Sequence, residues 1–172
     1  MKLMSGPGNT RSHSLTMAFI SAGKYGLRVM SSMNGRTFVD TNILIYAHDR
    51  DANRKHAVAK EVLRKLWDDR SGTLSIQVLQ EFYVNATRKI RTPLPKNSAR
   101  AVISDYMPWC VETTPAEISA AFRIEDESRI GFWDALIVAS AVKSRAARIL
   151  SEGFTAGQRI AGILIENPFA TA

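Results

Sequence analysis

An acid, a hydroxyl and an amide stand in a row within the stretch "TFVDTNILIYA". Asp40 closes the apolar "TFV", while Thr41 and Asn42 precede the apolar "ILIYA". Two further acids lie in comparable places: Glu81 follows the strand-like "TLSIQ", and Asp134 opens the apolar run "ALIVASAV". Carboxylates that are brought together can bind a hard divalent cation and support hydrolysis at a phosphate. This chemistry requires a fold that brings the three acids to one place.

Each acid also has a purely structural interpretation. Asp40 and Asp134 can cap the helices that follow them, because Asp accepts hydrogen bonds from first-turn amides and interacts favourably with the helix dipole. Glu81 lies beside Phe82 in a core-facing stripe, where a carboxylate needs a partner. Two carboxylates about 4 Å apart repel by roughly 4 kcal/mol at an effective dielectric of about 20. Either a cation from a distant Lys or Arg, or Mg²⁺ or Mn²⁺, would offset that repulsion.

The elements that position the acids alternate along the chain. Short apolar runs predict five strands, at 37–40, 73–77, 110–113, 147–150 and 162–169. Helical patterns lie between them, at 51–69, 78–90, 96–107, 115–129 and 134–146. Alternation of this kind predicts an α/β fold with a mostly parallel five-stranded sheet covered by helices on both faces. Ligands of such sheets bind at the carboxyl ends of the strands, where Asp40, Glu81 and, if its preceding loop allows, Asp134 would meet.

Composition separates the N-terminus from the rest of the chain. Residues 1–35 contain no Asp or Glu but many Ser, Gly and Met, so we interpret them as an N-terminal extension that is disordered or follows a start codon assigned too early. A transit peptide is the alternative. Residues 36–172 have the length of one ordinary folded domain. The net charge of +7 favours a polyanionic partner.

The same composition bounds where the protein acts. The longest apolar runs are much shorter than the roughly 20 residues of a membrane-spanning helix, so we expect no membrane association. A single cysteine, Cys110, indicates a reducing compartment and hence the cytoplasm. No Gly-rich phosphate loop or serine elbow follows a strand, which disfavours nucleotide hydrolysis and serine hydrolase chemistry. Asn42 stands where an aspartyl-phosphate enzyme would carry its second Asp.

Five motifs resemble, in order and spacing, the PIN-domain nucleases, and most closely the VapC-type toxins of bacterial toxin–antitoxin pairs. They are "FVDTNILIYA", "SIQVLQEFY", "GFWDALIVASA", "ILSEGFTAGQ" and "IENPF". The resemblance implies a PIN-like three-layer α/β/α sandwich and an endoribonuclease that uses Mg²⁺ or Mn²⁺ to hydrolyse RNA phosphodiester bonds. It also implies a cognate antitoxin protein as partner, and a homodimer is compatible with it.

The resemblance further implies that Asp40, Glu81 and Asp134 are catalytic residues and metal ligands. Gly153 stands where the relatives carry a fourth acid, so Glu152 becomes the candidate catalytic replacement. Three polar residues beside these acids are expected to hold the carboxylates or to contact the substrate: Thr41, Asn42 and Ser151.

A basic segment follows the Glu81 helix, in "RKIRTPLPKNSAR". Arg88, Lys89 and Arg91 are predicted to guide an RNA backbone with salt-sensitive affinity, although a solvated loop would have the same composition. The alternative function is a catalytically weak PIN-like module that binds RNA or a protein partner. Gly153 favours that alternative, and the intact set of three acids disfavours it.

Overall fold

Short apolar segments pair into a twisted central sheet in the computed structural model, which describes residues 35–170. Almost all of the predicted extension 1–35 therefore lies outside the described residues. The strands are β1 (Arg36–Val39), β2 (Gly72–Ser75), β3 (Cys110–Val111), β4 (Ala146–Leu150), β5 (Arg159–Ile160) and β6 (Ile163–Glu166). The helices that flank them are α1 (Thr41–His48), α2 (Arg54–Asp68), α3 (Ile76–Arg88), α4 (Lys96–Tyr106), α5 (Pro115–Ser128) and α6 (Phe132–Lys143).

The strand order places a reversal point beside β1. The sheet runs β3-β2-β1-β4-β6-β5, and β1 pairs in parallel with both β2 and β4. The chain therefore builds outward from β1 to β2 and β3 on one side, and returns to β4 and β6 on the other. Crevices at such a point, outside the carboxyl ends of the strands, are the usual ligand sites of open α/β sheets. Here the crevice lies where β1 and β4 end.

The predicted α/β class is confirmed, but the prediction of five strands missed β5. This strand is only two residues long and runs antiparallel to β6. Ala161 and Gly162 connect the two, both with positive φ (47° and 84°), which is the backbone of a tight hairpin turn. Ala rarely adopts this conformation, so the sequence carried little turn signal.

Strands β1 and β4 and helix α6 contribute fully buried residues to the core. Phe38 and Val39 of β1 and Ile149 of β4 are fully buried. The apolar run of α6 is buried throughout from Ala135 to Ala141, as its composition predicted. Because burial extends around the whole helix, α6 is fixed between the sheet and α5 and its first turn has a defined position. Among the described residues, no helix is long and apolar enough to cross a lipid bilayer.

Glu117 ties α5 to the end of α6. Its carboxylate accepts hydrogen bonds from the amide and hydroxyl of Thr114, both at 2.7 Å, and from Lys143 Nζ at 2.9 Å. The Lys143 bond, followed by the Thr114 bonds, lowers the Glu117 pKa from 4.5 to about 2. Because this folded-state pKa lies below the unfolded-state value, the stabilisation is complete above about pH 4.5 and is lost as the pH falls towards 2.

We expect Glu117→Gln to lower the free energy of unfolding by about 2 kcal/mol near neutral pH, because charge-assisted hydrogen bonds are replaced by weaker ones. The difference from the wild type should shrink as the pH falls through the acid range. Urea unfolding followed by circular dichroism at several pH values measures it, with the exposed Glu112→Gln as control. A pH-independent difference would show that the charge of Glu117 is not its cause.

Candidate functional site

Asp40 is held where β1 becomes α1. Its Oδ1 accepts a hydrogen bond from the Thr41 amide at 2.7 Å, so it caps α1, as its structural interpretation predicted. Its Oδ2 accepts bonds from Asn42 Nδ2 and from Ser151 Oγ, both at 2.6 Å. The backbone N–H of Asp40 donates to Leu150 O at 3.0 Å, which joins the ends of β1 and β4. Because Asp40 lies between the end of β1 and the start of α1, it both caps the helix and stands at the crevice.

The Asp40 carboxylate is in an unfavourable electrostatic environment. Burial raises its pKa from 3.8 to about 6, although the Ser151 and Thr41 hydrogen bonds oppose the shift. The negative charges of Glu81 and Asp134 raise it further. The three acids are thus close enough to repel one another, as the sequence predicted. The ion pairs found between described residues involve carboxylates other than those of Asp40, Glu81 and Asp134.

Glu81 is fixed by neutral donors. Its Oε2 accepts a hydrogen bond from Thr41 Oγ1 at 2.7 Å, and its Oε1 accepts one from Gln77 Nε2 at 2.8 Å. Thr41 therefore contacts two acids, since its amide binds Asp40 and its hydroxyl binds Glu81. Thr41 itself is buried, with 5% of its surface exposed. The prediction that Thr41 holds a carboxylate matches this geometry.

Gln77 connects Glu81 to the start of α6. The same Nε2 that binds Glu81 also donates to Trp133 O at 3.3 Å, one residue before Asp134. Burial and the Glu81 charge raise the Asp134 pKa. The loop before α6 does bring Asp134 to the edge of the sheet that holds Asp40 and Glu81. Sequence reasoning missed Gln77, although its position four residues before Glu81 on one helix face is a usable signal.

Ser151 and Asn42 close the other side of the site. Ser151 is fully buried, and its Oγ accepts bonds from Asn42 Nδ2 at 3.2 Å and from Gly153 N at 3.0 Å while donating to Asp40. Asn42 Oδ1 in turn accepts a hydrogen bond from the Glu152 backbone amide at 3.2 Å. The β4 loop is thereby joined to the first turn of α1. Both residues take part in holding Asp40, as predicted.

Glu152, the predicted replacement for the missing fourth acid, has other partners. Its carboxylate binds Lys55 Nζ at 2.5 Å and Tyr46 Oη at 2.7 Å. The Lys55 bond lowers the Glu152 pKa, in contrast to the raised pKa of Asp40. Glu152 is therefore paired with a cation, whereas the hydrogen-bond donors to Asp40 and Glu81 are neutral. Neither Tyr46 nor Lys55 was singled out from the sequence, because the pair depends on contacts across 97 and more positions of the chain.

The donor set fits a hard divalent cation. Asp40, Glu81 and Asp134 offer only carboxylate oxygens, and their mutual repulsion is relieved by a positive ion. Among residues 35–170, no three His, Cys, Asp or Glu side chains form a ready-made metal cage. Mg²⁺ does not require one, since it usually keeps several waters and binds one or two carboxylates together with substrate phosphates. The residues thus fit an ion held in an open site.

Two other features of the described surface lie apart from the acids: an apolar groove and a group of basic residues. An apolar groove of about 580 Å³ lies away from the acids, lined by Ile76, Leu79, Gln80, Tyr83, Val84, Ile103, Met107 and Cys110. The predicted RNA-contacting residues Arg88, Lys89 and Arg91 are exposed at and after the end of α3. Arg88 is two helical turns beyond Glu81, about 10 Å along the axis. These cations are close enough to contact an RNA strand that passes the acids, but they are not part of the acidic site itself.

Comparisons with known proteins agree with this architecture. A model of the PIN domain matches residues 37–154. Among solved structures, VapBC2 from Rickettsia felis bound to a promoter DNA fragment aligns with a TM-score of 0.54 at 18% identity, over 76% of this chain and 97% of that one. DNA-bound VapBC from Salmonella typhimurium gives 0.56 at 19% identity, over 77% and 98%. A toxin–antitoxin complex from Klebsiella pneumoniae gives 0.52 at 18%, over 78% and 99%. No curated protein matches the chain.

An α/β sheet with acids at its reversal point is thus accompanied by a family match over most of the chain. The chain belongs to the PIN domain family. This confirms the family that the five motifs indicated. The similarity to the three solved structures is one of fold.

Gln77 provides a test of how the acids are held. We expect Gln77→Met, which keeps the side-chain length but removes both donated bonds, to lower the free energy of unfolding by about 1 to 3 kcal/mol. Chemical denaturation measures the change, and Gln80→Met is the matched control, because Gln80 is exposed on the same helix. Equal effects of the two variants would contradict the assigned bridge.

Proposed function

We propose that the protein is a divalent-metal-dependent endoribonuclease that hydrolyses RNA phosphodiester bonds and acts as the toxin of a toxin–antitoxin pair. One observation carries the hydrolytic part. Asp40, Glu81 and Asp134 converge at the reversal point of the sheet, where burial and the charges of Glu81 and Asp134 raise the pKa of Asp40. Membership of the PIN domain family and the net charge of +7 support a nucleic-acid substrate. The similarity in fold to toxin–antitoxin complexes supports the biological role.

Asp40, Glu81 and Asp134 would hold Mg²⁺ or Mn²⁺. When bound, such an ion supplies charge neutralisation at the phosphate and Lewis-acid activation of water. Asp40 is the central ligand in this proposal, because Thr41, Asn42 and Ser151 fix both of its oxygens. Supporting hydrogen bonds of this kind orient the ligands of a metal and tune them.

The remaining two acids differ in what they can do. Thr41 and Gln77 each donate a hydrogen bond to one Glu81 oxygen, so the orientation of this carboxylate is fixed. Asp134 is exposed on the first turn of α6. We therefore assign to Asp134 the uptake of a proton from the attacking water, and to Glu81 an orienting role.

The decisive assay incubates the purified full chain, free of other proteins, with a mixed RNA pool and Mg²⁺ or Mn²⁺. We expect cleavage that disappears with a chelator and falls by at least about a hundredfold in Asp40→Asn, because one ligand carboxylate is lost. Asp105→Asn, an exposed acid on α4, is the matched control and should cleave like the wild type. Product ends are read by gel electrophoresis and sequencing.

A second candidate function has its own observation, namely Gly153 in the place of the fourth acid. A PIN domain with a weakened metal site would bind RNA or a protein partner without cleaving. A folded wild-type chain that leaves the RNA pool intact in the presence of both metals would favour this module over the nuclease.

Gly153 can be tested directly, because the site has room for a side chain there. A Cβ at this position would lie 3.7 Å from Ser151 Oγ and 3.9 Å from Asn42 Nδ2, which are ordinary contacts. We expect Gly153→Asp to raise Mn²⁺ affinity and the cleavage rate, roughly tenfold, since cation affinity rises with the number of charged ligands. Isothermal titration with Mn²⁺ measures affinity. Gly153→Asn, of the same shape but neutral, should show no gain; if it gains equally, charge is not the reason.

The antitoxin part of the proposal is tested in the cell. A toxin of this kind should arrest growth when expressed alone, and Asp40→Asn should relieve the arrest. Co-expression with a cognate antitoxin should restore growth, and the antitoxin should co-purify with the chain. Growth unaffected by the active wild-type protein would remove the toxin role while leaving the nuclease intact.

A further inference from the structure

Trp133 is unusually exposed for its size. It lies on the first turn of α6, directly before Asp134, and 64% of its surface is exposed. A large aromatic side chain in water loses the favourable burial that its area offers. Its backbone is nevertheless fixed, because Gln77 Nε2 binds Trp133 O at 3.3 Å. The main chain that carries this exposed ring is therefore tied to Gln77, which also binds Glu81.

Two further rings support Trp133 from one side. Phe132 meets it edge to face, with ring centroids 5.3 Å apart, and Phe122 of α5 lies 5.5 Å from Phe132. Phe122 is 53% exposed. The three residues form a row of successive ring contacts. We call Phe122, Phe132 and Trp133 the aromatic row below.

The surroundings distinguish the two ends of the aromatic row. Glu125 and Asp126 follow Phe122 by three and four residues on α5 and outnumber the exposed Arg123 beside it, so that end carries a net negative charge. At the other end, Trp133 adjoins the acids at which a cation and a phosphate are expected to meet. Arg129, in the turn between α5 and α6, is exposed and adds a positive charge to this part of the surface. Trp133 is thus the end suited to a nucleic acid.

We propose that Trp133 is a stacking site for an unpaired base of the RNA substrate, next to the phosphate that is cleaved. This proposal rests on the nuclease function and adds a substrate class to it. An aromatic face accepts any base, and each stacked base contributes about 1 to 3 kcal/mol. Bases within a duplex already stack on their neighbours, so Trp133 selects single-stranded or looped RNA.

Binding is measured by fluorescence anisotropy with a labelled single-stranded RNA, using the full chain with Ca²⁺ in place of Mg²⁺ or Mn²⁺, so that the acids are neutralised while cleavage is suppressed. We expect Trp133→Leu to weaken binding between about fivefold and a hundredfold, while Trp133→Phe retains most of the affinity. Trp67→Leu is the matched control. Trp67 is 45% exposed but packs on Tyr106 and Trp109, so its loss should leave RNA binding unchanged.

The same RNA with abasic sites isolates the stacking term, because wild type and Trp133→Leu should bind it equally. A wild type that binds no single-stranded RNA, or a Trp133→Leu variant that binds normally, overturns the stacking site. Sedimentation that shows an oligomer lost in Trp133→Leu would assign the aromatic row to a contact between copies and would also overturn it. RNA binding that depends on Trp133 but brings no cleavage with metal would overturn the nuclease alone.

Discussion

The hydrogen bonds around the Asp40 carboxylate are the interaction on which the rest of the site depends. They join the end of β1, the first turn of α1 and the loop after β4 in one small volume, because Thr41, Asn42 and Ser151 all donate to the same two oxygens. These segments are more than a hundred residues apart in the chain. The reversal of strand order between β1 and β4 makes their meeting possible, and the carboxylate makes it specific.

From this centre the other acids are positioned by neutral donors rather than by cations. The Thr41 hydroxyl donates a hydrogen bond to Glu81, and Gln77 donates to both Glu81 and the main-chain oxygen of Trp133 in α6. Neutral donors fix geometry without cancelling charge, so the acids stay mutually repulsive after folding. A fold that retains such repulsion loses stability in exchange for a site prepared for a positive ion, which is a common compromise at functional sites.

The sequence predicted the parts of this arrangement that have local signals. Strand ends, helix starts and the apolar α6 are read from short windows, so Asp40, Glu81 and Asp134 were placed at one edge of the sheet. Two features could not be read from short windows of sequence: the bridge made by Gln77 and the pairing of Glu152 with Lys55. Both depend on how elements distant in the chain are placed relative to each other. The short β5 was missed for a related reason, because two residues and an Ala turn carry too little pattern. The metal and the roles of the individual acids stay predictions.

The pairing of Glu152 with Lys55 has a consequence for the electric field of the molecule. A carboxylate next to a lysine contributes little at a distance, so the rim beside Gly153 is close to neutral. At the crevice itself, the negative potential comes from Asp40, Glu81 and Asp134. A local negative potential attracts small cations to this spot, while the net charge of +7 favours the approach of a polyanion. The negative charge at the crevice and the positive charge elsewhere on the chain are thus separated in the protein before any substrate binds.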